Sequence, residues 1–168
     1  MEKLNQQIES LEASIEKIAE TQSFLHSSVQ ELVDKYVVKR KRISQSLTDK
    51  TMRAPHFFPR VRWANDEKTI AIEWRNYSNK IKARYYAKQQ GKSIHEKNPV
   101  RFGEHVRLTR SGTYSVTCFK TAPDWEKELI MEFEAEFKKK RAQSAQAAFS
   151  AKHIRKLIKL LKEEGEGK

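Results

Sequence analysis

Ten positions between residues 4 and 36 constrain this chain more than any other feature. Leu4, Ile8, Leu11, Ile15, Ile18, Gln22, Leu25, Val29, Leu32 and Tyr36 follow one another at alternating steps of four and three. Nine of the ten are apolar, and neither Gly nor Pro interrupts them. That spacing is the heptad seam of a helix whose apolar stripe must be covered by another helix. It predicts an N-terminal helix over about residues 2–42. The β-branched residues Ile8, Ile15 and Val29 alternate with leucines, the arrangement that favours parallel pairing of two chains. The ten residues therefore read as the oligomerisation surface of a homodimer. The alternative is that the seam folds back on the chain's own C-terminal helix. Gln22 is the one polar seam residue, and a buried polar residue there can fix register at a cost in stability.

Charge is segregated along the chain. The 168 residues carry a net charge of +12. Residues 1–35 hold 3 basic and 7 acidic side chains, and residues 36–62 hold 8 and 1. Residues 137–162 hold 9 basic side chains and no acidic one. Positive charge gathered this way favours an anionic polymer or surface. No apolar run approaches the roughly 20 residues that span a bilayer, so no membrane partner is expected. A lone cysteine, Cys118, leaves no internal disulfide and no cysteine metal cluster, and a cytoplasmic location is the default expectation.

The fold class expected is α+β. Its parts are an N-terminal heptad helix (1–42), a basic linker (43–60), a small antiparallel β domain (61–121), a long C-terminal helix (122–163) and a disordered tail (164–168). Pro55 and Pro59 end the first helix. Val61–Trp63 and Thr69–Trp74 read as strands, the second alternating Ile70, Ile72 and Trp74 against Thr69, Ala71 and Glu73. Asn65–Glu67 reads as the turn between them. A second hairpin is expected from Val106 to Phe119, turning at Arg110-Ser111-Gly112, with Tyr114, Val116 and Cys118 on one face. Residues 80–89 lean towards strand, and 92–99 towards loop. Thr121 is the expected N-cap of the last helix, with Pro123 in its first turn. Trp125, Leu129, Phe133 and Phe137 form the stripe expected to pack on the sheet, and Trp63, Trp74 and Trp125 are expected in the core.

The candidate nucleic-acid contacts are cationic. Lys39, Arg40, Lys41 and Arg42 open the first cluster, which continues through Lys50, Arg53, Arg60 and Arg62. Lys80, Lys82 and Arg84 lie beside Tyr85 and Tyr86, where rings and cations could meet unstacked bases. Lys138, Lys139, Lys140 and Arg141 form the third group. Such clusters neutralise phosphates and give salt-dependent affinity. Each cluster also has a blander reading, as a solvated run or, on the last helix, as a surface that docks a partner. Enzyme chemistry has little support. His56, His95 and His105 show no metal spacing, Glu73, Glu96 and Glu104 no paired-carboxylate motif, and the five glycines no phosphate-cradling loop. No catalytic residue, metal or cofactor is expected. Cys118 is expected as a buried core thiol.

The run from Gly112 to Ile130 resembles the MobI proteins of integrative and conjugative elements and related conjugative plasmids. Its matching parts are the Tyr114-Ser115 segment and the helix start Lys120-Thr121-Ala122-Pro123-Asp124-Trp125-Glu126. The helix that follows, acidic then basic, and the heptad N-terminus are also similar to that family. The resemblance implies an auxiliary mobilisation factor that acts on double-stranded DNA at the origin of transfer, with a relaxase that nicks it. It carries over no catalytic residues. The expectation from another class is a coiled-coil adaptor or scaffold that binds an acidic protein partner and never touches DNA.

Overall fold

A computed structural model describes residues 2–48, 56–64, 69–77 and 103–166. Helix α1 covers Glu2–Ser46, and strands β1 and β2 cover Phe57–Ala64 and Thr69–Asn76. A two-residue strand β3 (Glu104–His105), a 3-10 turn (Val116–Phe119) and helix α2 (Asp124–Glu166) complete the order. The class is α+β, with two long helices and a three-stranded antiparallel sheet in the order β1-β2-β3. At about 1.5 Å per residue, each helix is roughly 65 Å long.

The heptad seam finds its partner inside the chain. Helix α2 runs antiparallel to α1, as three pairs at successive levels show. Lys39 reaches Glu132, Gln22 meets Ser144, and Lys162 meets Glu12. Of the two pairings the sequence allows, this fold-back is the one within the chain. Gln22 is buried and both ends of its amide are used. It donates to the Ser144 carbonyl (2.8 Å) and accepts from the Ser144 hydroxyl (2.7 Å). The polar seam residue thus sets the register between α1 and α2, because any slip would bury an amide without partners.

The sheet packs on one half of this helix pair. Leu25, Val29, Val33 and Tyr36 of α1 and Leu129, Ile130, Phe133 and Phe137 of α2 close over Ile70, Ile72 and Trp74. The stripe read from the sequence on α2 is therefore core, with Trp125 at its margin. Trp74 is fully buried at the centre, edge-on to Tyr36 (5.2 Å), Phe119 (5.5 Å) and Phe137 (5.8 Å). Trp63 is only partly buried and stacks on His26 at 4.7 Å. The other half of the helix pair, residues 2–21 with 148–166, projects as a two-helix arm.

Side chains seal both edges of the sheet. Pro59 sits in β1 opposite Trp74, at a site whose backbone faces away from β2, so its missing N–H costs no ladder bond. The Glu126 carboxylate at the start of α2 accepts from the backbone N–H groups of His56 (3.0 Å) and Phe57 (3.1 Å). The Tyr36 hydroxyl donates to the Phe57 carbonyl. On the far edge of β2, Val106 pairs with the Trp74 carbonyl, and the Tyr114 hydroxyl meets the Trp74 N–H. Arg141 reaches the Ile72 carbonyl, and the Ser144 hydroxyl accepts from the Ile70 N–H.

That sealing corrects the second expected hairpin. Among the described residues, only Glu104 and His105 pair with this edge of β2 as a strand, opposite Asn76 and Arg75. Beyond them the edge is taken by Tyr114, Arg141 and Ser144, so no strand can follow. The chain turns at Gly112, whose φ of +73° only glycine adopts freely, and Val116–Phe119 close a 3-10 turn that drives Phe119 into the core. Val116 is left exposed and Cys118 half-buried, not on a buried strand face. The turn runs on through a bond from Ala122 N–H to the Phe119 carbonyl. Helix α2 consequently starts at Asp124, and Thr121, the expected cap, lies in the turn before it. At the other end, α1 extends to Ser46 and β1 opens at Phe57, taking residues expected in the linker. The expected Asn65–Glu67 turn, strand 80–89 and loop 92–99 lie outside the described residues.

Candidate nucleic-acid interface

Alternation in β1 and β2 gives the sheet two unlike faces. Phe57, Pro59, Val61 and Trp63 share a face with Ile70, Ile72 and Trp74, turned to the helices. The opposite face carries Phe58, Arg60 and Arg62 on β1, and Ala71, Glu73 and Arg75 on β2. Arg60 lies directly across from Glu73. Arg62 donates twice to one Glu73 oxygen (2.9 and 2.6 Å), and Arg75 donates to the other (3.0 Å). Arg40, from the last turns of α1, lies over the Phe58 ring at 3.9 Å. Tyr77 meets that ring edge-on at 5.5 Å. Four guanidinium groups therefore share this side of the sheet with one carboxylate, and the face stays strongly cationic with aromatic rings between the charges.

The local environment sets the ionisation of these groups. Burial works to raise the Glu73 carboxyl, but the Arg62 hydrogen bond and the charges of Arg62, Arg75 and His105 outweigh it and hold it below its ordinary 4.5. Burial lowers Arg40, against the attraction of Tyr36 and Glu126. Burial also pushes the Tyr77 hydroxyl up to about 12. A pH dependence follows from Glu73. Its folded-state value lies below the unfolded one, so its contribution is complete above the ordinary 4.5 and is lost as pH falls through the folded value. Melting temperature is therefore expected to decline on acidification below that point. Glu73→Gln should cost about 1–2 kcal/mol near neutrality and flatten the acid branch. Circular dichroism melts across the acid range check both; an acid branch unchanged by the substitution would exclude Glu73 as its source.

The expected cationic contacts that lie among the described residues divide into three groups. Arg40, Arg60 and Arg62 come together on the outer sheet face. Lys41, Arg42 and Lys138 are exposed or half-exposed, as is Lys140. The others are committed within the chain. Lys39 pairs with Glu132 and Lys139 with Glu136, both at 2.7 Å and in solvent. Arg141 is not a surface cation: it pairs with buried Glu134 and lies 5.3 Å from the centre of the Tyr114 ring. Lys50, Arg53, Lys80, Lys82 and Arg84, with Tyr85 and Tyr86, lie outside the described residues. Arg75 stands in no run of cations, although the alternation of β2 already sets it on the face of Glu73.

Of the ten expected oligomerisation residues, Ile8, Gln22, Leu25, Val29 and Tyr36 are buried within the chain. Leu4, Leu11, Ile15, Ile18 and Leu32 are half-buried. Among the described residues, no group of His, Cys, Asp and Glu is placed to hold a metal ion. No described helix is long and apolar enough to cross a membrane.

The fold and this face define a class: a basic α+β protein whose antiparallel helix pair carries a small sheet with an arginine-rich outer surface. The family model described as MobI protein matches residues 25–157, most of the chain. The chain belongs to the MobI family, and membership supports a role in conjugative mobilisation. No curated protein and no solved structure matches it.

Proposed function

We propose that the chain is a non-enzymatic accessory factor that binds double-stranded DNA at the origin of transfer and helps a relaxase to act there. The arginine-rich outer face of the sheet is the observation that carries the reading. Arg60 has no ion-pair partner among the described residues, and Arg62 and Arg75 share a single carboxylate between them. Such a surface retains charge for phosphates, and the Arg40–Phe58 stack holds one guanidinium in place. Lys41 and Arg42 are exposed on the last turns of α1, with Arg42 turned about 160° from Arg40, so they add cationic charge near the sheet without lying on its face. Contacts of this kind position a protein on the duplex; sequence recognition needs base contacts or DNA shape in addition.

Fluorescence anisotropy against origin-of-transfer and scrambled duplexes, across a salt series, tests this. Tight binding with a steep salt dependence is expected, with preference for the origin duplex. Arg60→Ala with Lys41→Ala and Arg42→Ala should make the log–log salt slope shallower by about 0.9 for each phosphate no longer neutralised. Absence of binding to both duplexes at low salt would defeat the reading and leave the basic face to an acidic protein partner.

A further inference from the structure

We propose that the notch where the arm leaves the sheet is a base-binding slot. It takes one unpaired nucleobase of DNA, stacked on Trp63, with the attached phosphate on Arg155; the slot deepens the DNA contact proposed above and rests on it. Trp63 lies near the end of β1, on the helix-facing side of the sheet, and is half-buried. Ala19 and Ser23 of α1, with Ala148, Ala151 and Arg155 of α2, line a cavity of about 220 Å³ beside it. The floor is made of small side chains, which is why a cavity remains between the helices and the strand end. An apolar cavity of ~150 Å³ already holds a benzene ring, so this one has space for a nucleobase.

The indole is held in place before any ligand arrives. His26 stacks flat on it, with 4.7 Å between ring centres and 8° between planes. His26 does not line the cavity, so the indole meets the cavity with surface that His26 leaves uncovered. Stacking on an aromatic side chain tolerates any sequence, because every base has a π face. The polar groups of the floor add no preference of their own. Gln22 spends both ends of its amide on Ser144, and the Ser23 hydroxyl donates to the Ala19 carbonyl (3.2 Å). The slot therefore reads the unpaired state of a base and not its identity.

Charge distinguishes a nucleotide from an apolar side chain as the occupant. Arg155 and Lys152 are exposed, and neither has an ion-pair partner among the described residues. Ala148, Lys152, Arg155 and Lys159 follow one another at steps of four, three and four, so one side of α2 carries both the slot floor and a row of cations. Lys159 shares its charge with Glu163 at 3.6 Å. A ring that bears a phosphate uses the stacking surface and the guanidinium together. Arg62 precedes Trp63 and points to the opposite face of the sheet. The end of β1 thus carries a phosphate-binding side chain on one face and a stacking ring on the other. A base inside a paired stack cannot reach that ring; one that is unpaired can swing out to it.

Fluorescence anisotropy of the full chain tests the slot with two probes, a fully paired duplex and the same duplex carrying one unpaired nucleotide. The second is expected to bind about tenfold tighter. Ala148→Leu fills the slot without altering the ring. It should abolish the preference and leave affinity for the paired duplex unchanged, with helical content retained by circular dichroism. Trp63→Leu should abolish the preference as well, and Arg155→Ala should reduce it. Equal binding of the two probes would overturn the slot and leave duplex binding standing. A preference that neither Ala148→Leu nor Trp63→Leu alters would also overturn it. Binding of the unpaired probe alone, lost in both variants, would uphold the slot and overturn the duplex reading.

Discussion

Trp74→Ala is expected to destabilise the fold by about 3–5 kcal/mol, the range for deleting a large buried aromatic side chain. The ring is fully buried between both helices and the 3-10 turn, so no neighbour can relax far into the space left. Its indole N–H also donates to the buried Glu134 carboxylate at 2.9 Å, and that acceptor would lose a partner. Trp74→Phe separates the two contributions. It keeps most of the packing and removes the donor, for an expected cost of about 1–3 kcal/mol. Urea denaturation monitored by circular dichroism measures both. A loss below about 1 kcal/mol for the alanine variant would mean that Trp74 is not the packing centre of the domain.

Arg141→Ala is expected to cost a similar amount, about 3–5 kcal/mol, because it strands the buried Glu134 carboxylate without its cationic partner. The neighbouring lysines should behave differently. Lys138→Ala and Lys140→Ala remove solvated charges and should stay within about 0.5 kcal/mol of the parent chain. Adding Glu134→Gln to Arg141→Ala should recover part of the loss, since a neutral amide tolerates burial better than an unpaired carboxylate. Denaturant midpoints for the four variants decide between them. Equal and small effects throughout would return Arg141 to the surface cluster its sequence neighbours suggest.

The contrast between Arg141 and Lys138 shows where sequence reading stops. Four consecutive cations look alike in one dimension. The turn of the helix aims Arg141 at the edge of β2 and the lysines outward, and the identity of the facing strand is not written in the run itself. Local periodicities are more legible. The heptad seam, the alternation of β2 and the four-residue stripe on α2 each record a burial pattern, and each appears in the structure. Gln22 is legible as a register-setting residue, but not its partner Ser144, which comes 122 positions later. Alternation also misleads. Tyr114, Val116 and Cys118 have the spacing of a strand, yet helix side chains already occupy the edge such a strand would need. Arg75 escapes a search for runs of cations, because this face is assembled from residues far apart in the chain.

The pairing of Gln22 with Ser144 also orders events during synthesis. Polypeptide leaves the ribosome at roughly 5–20 residues per second. The first half of the seam is therefore made many seconds before the helix that will cover it exists. Leu4, Ile8, Leu11, Ile15 and Ile18 spend that interval as an open apolar stripe, neither shielded by a sheet nor paired in a hairpin. Every newly started chain thus passes through a stage in which other nascent chains or chaperones have access to its most adhesive surface.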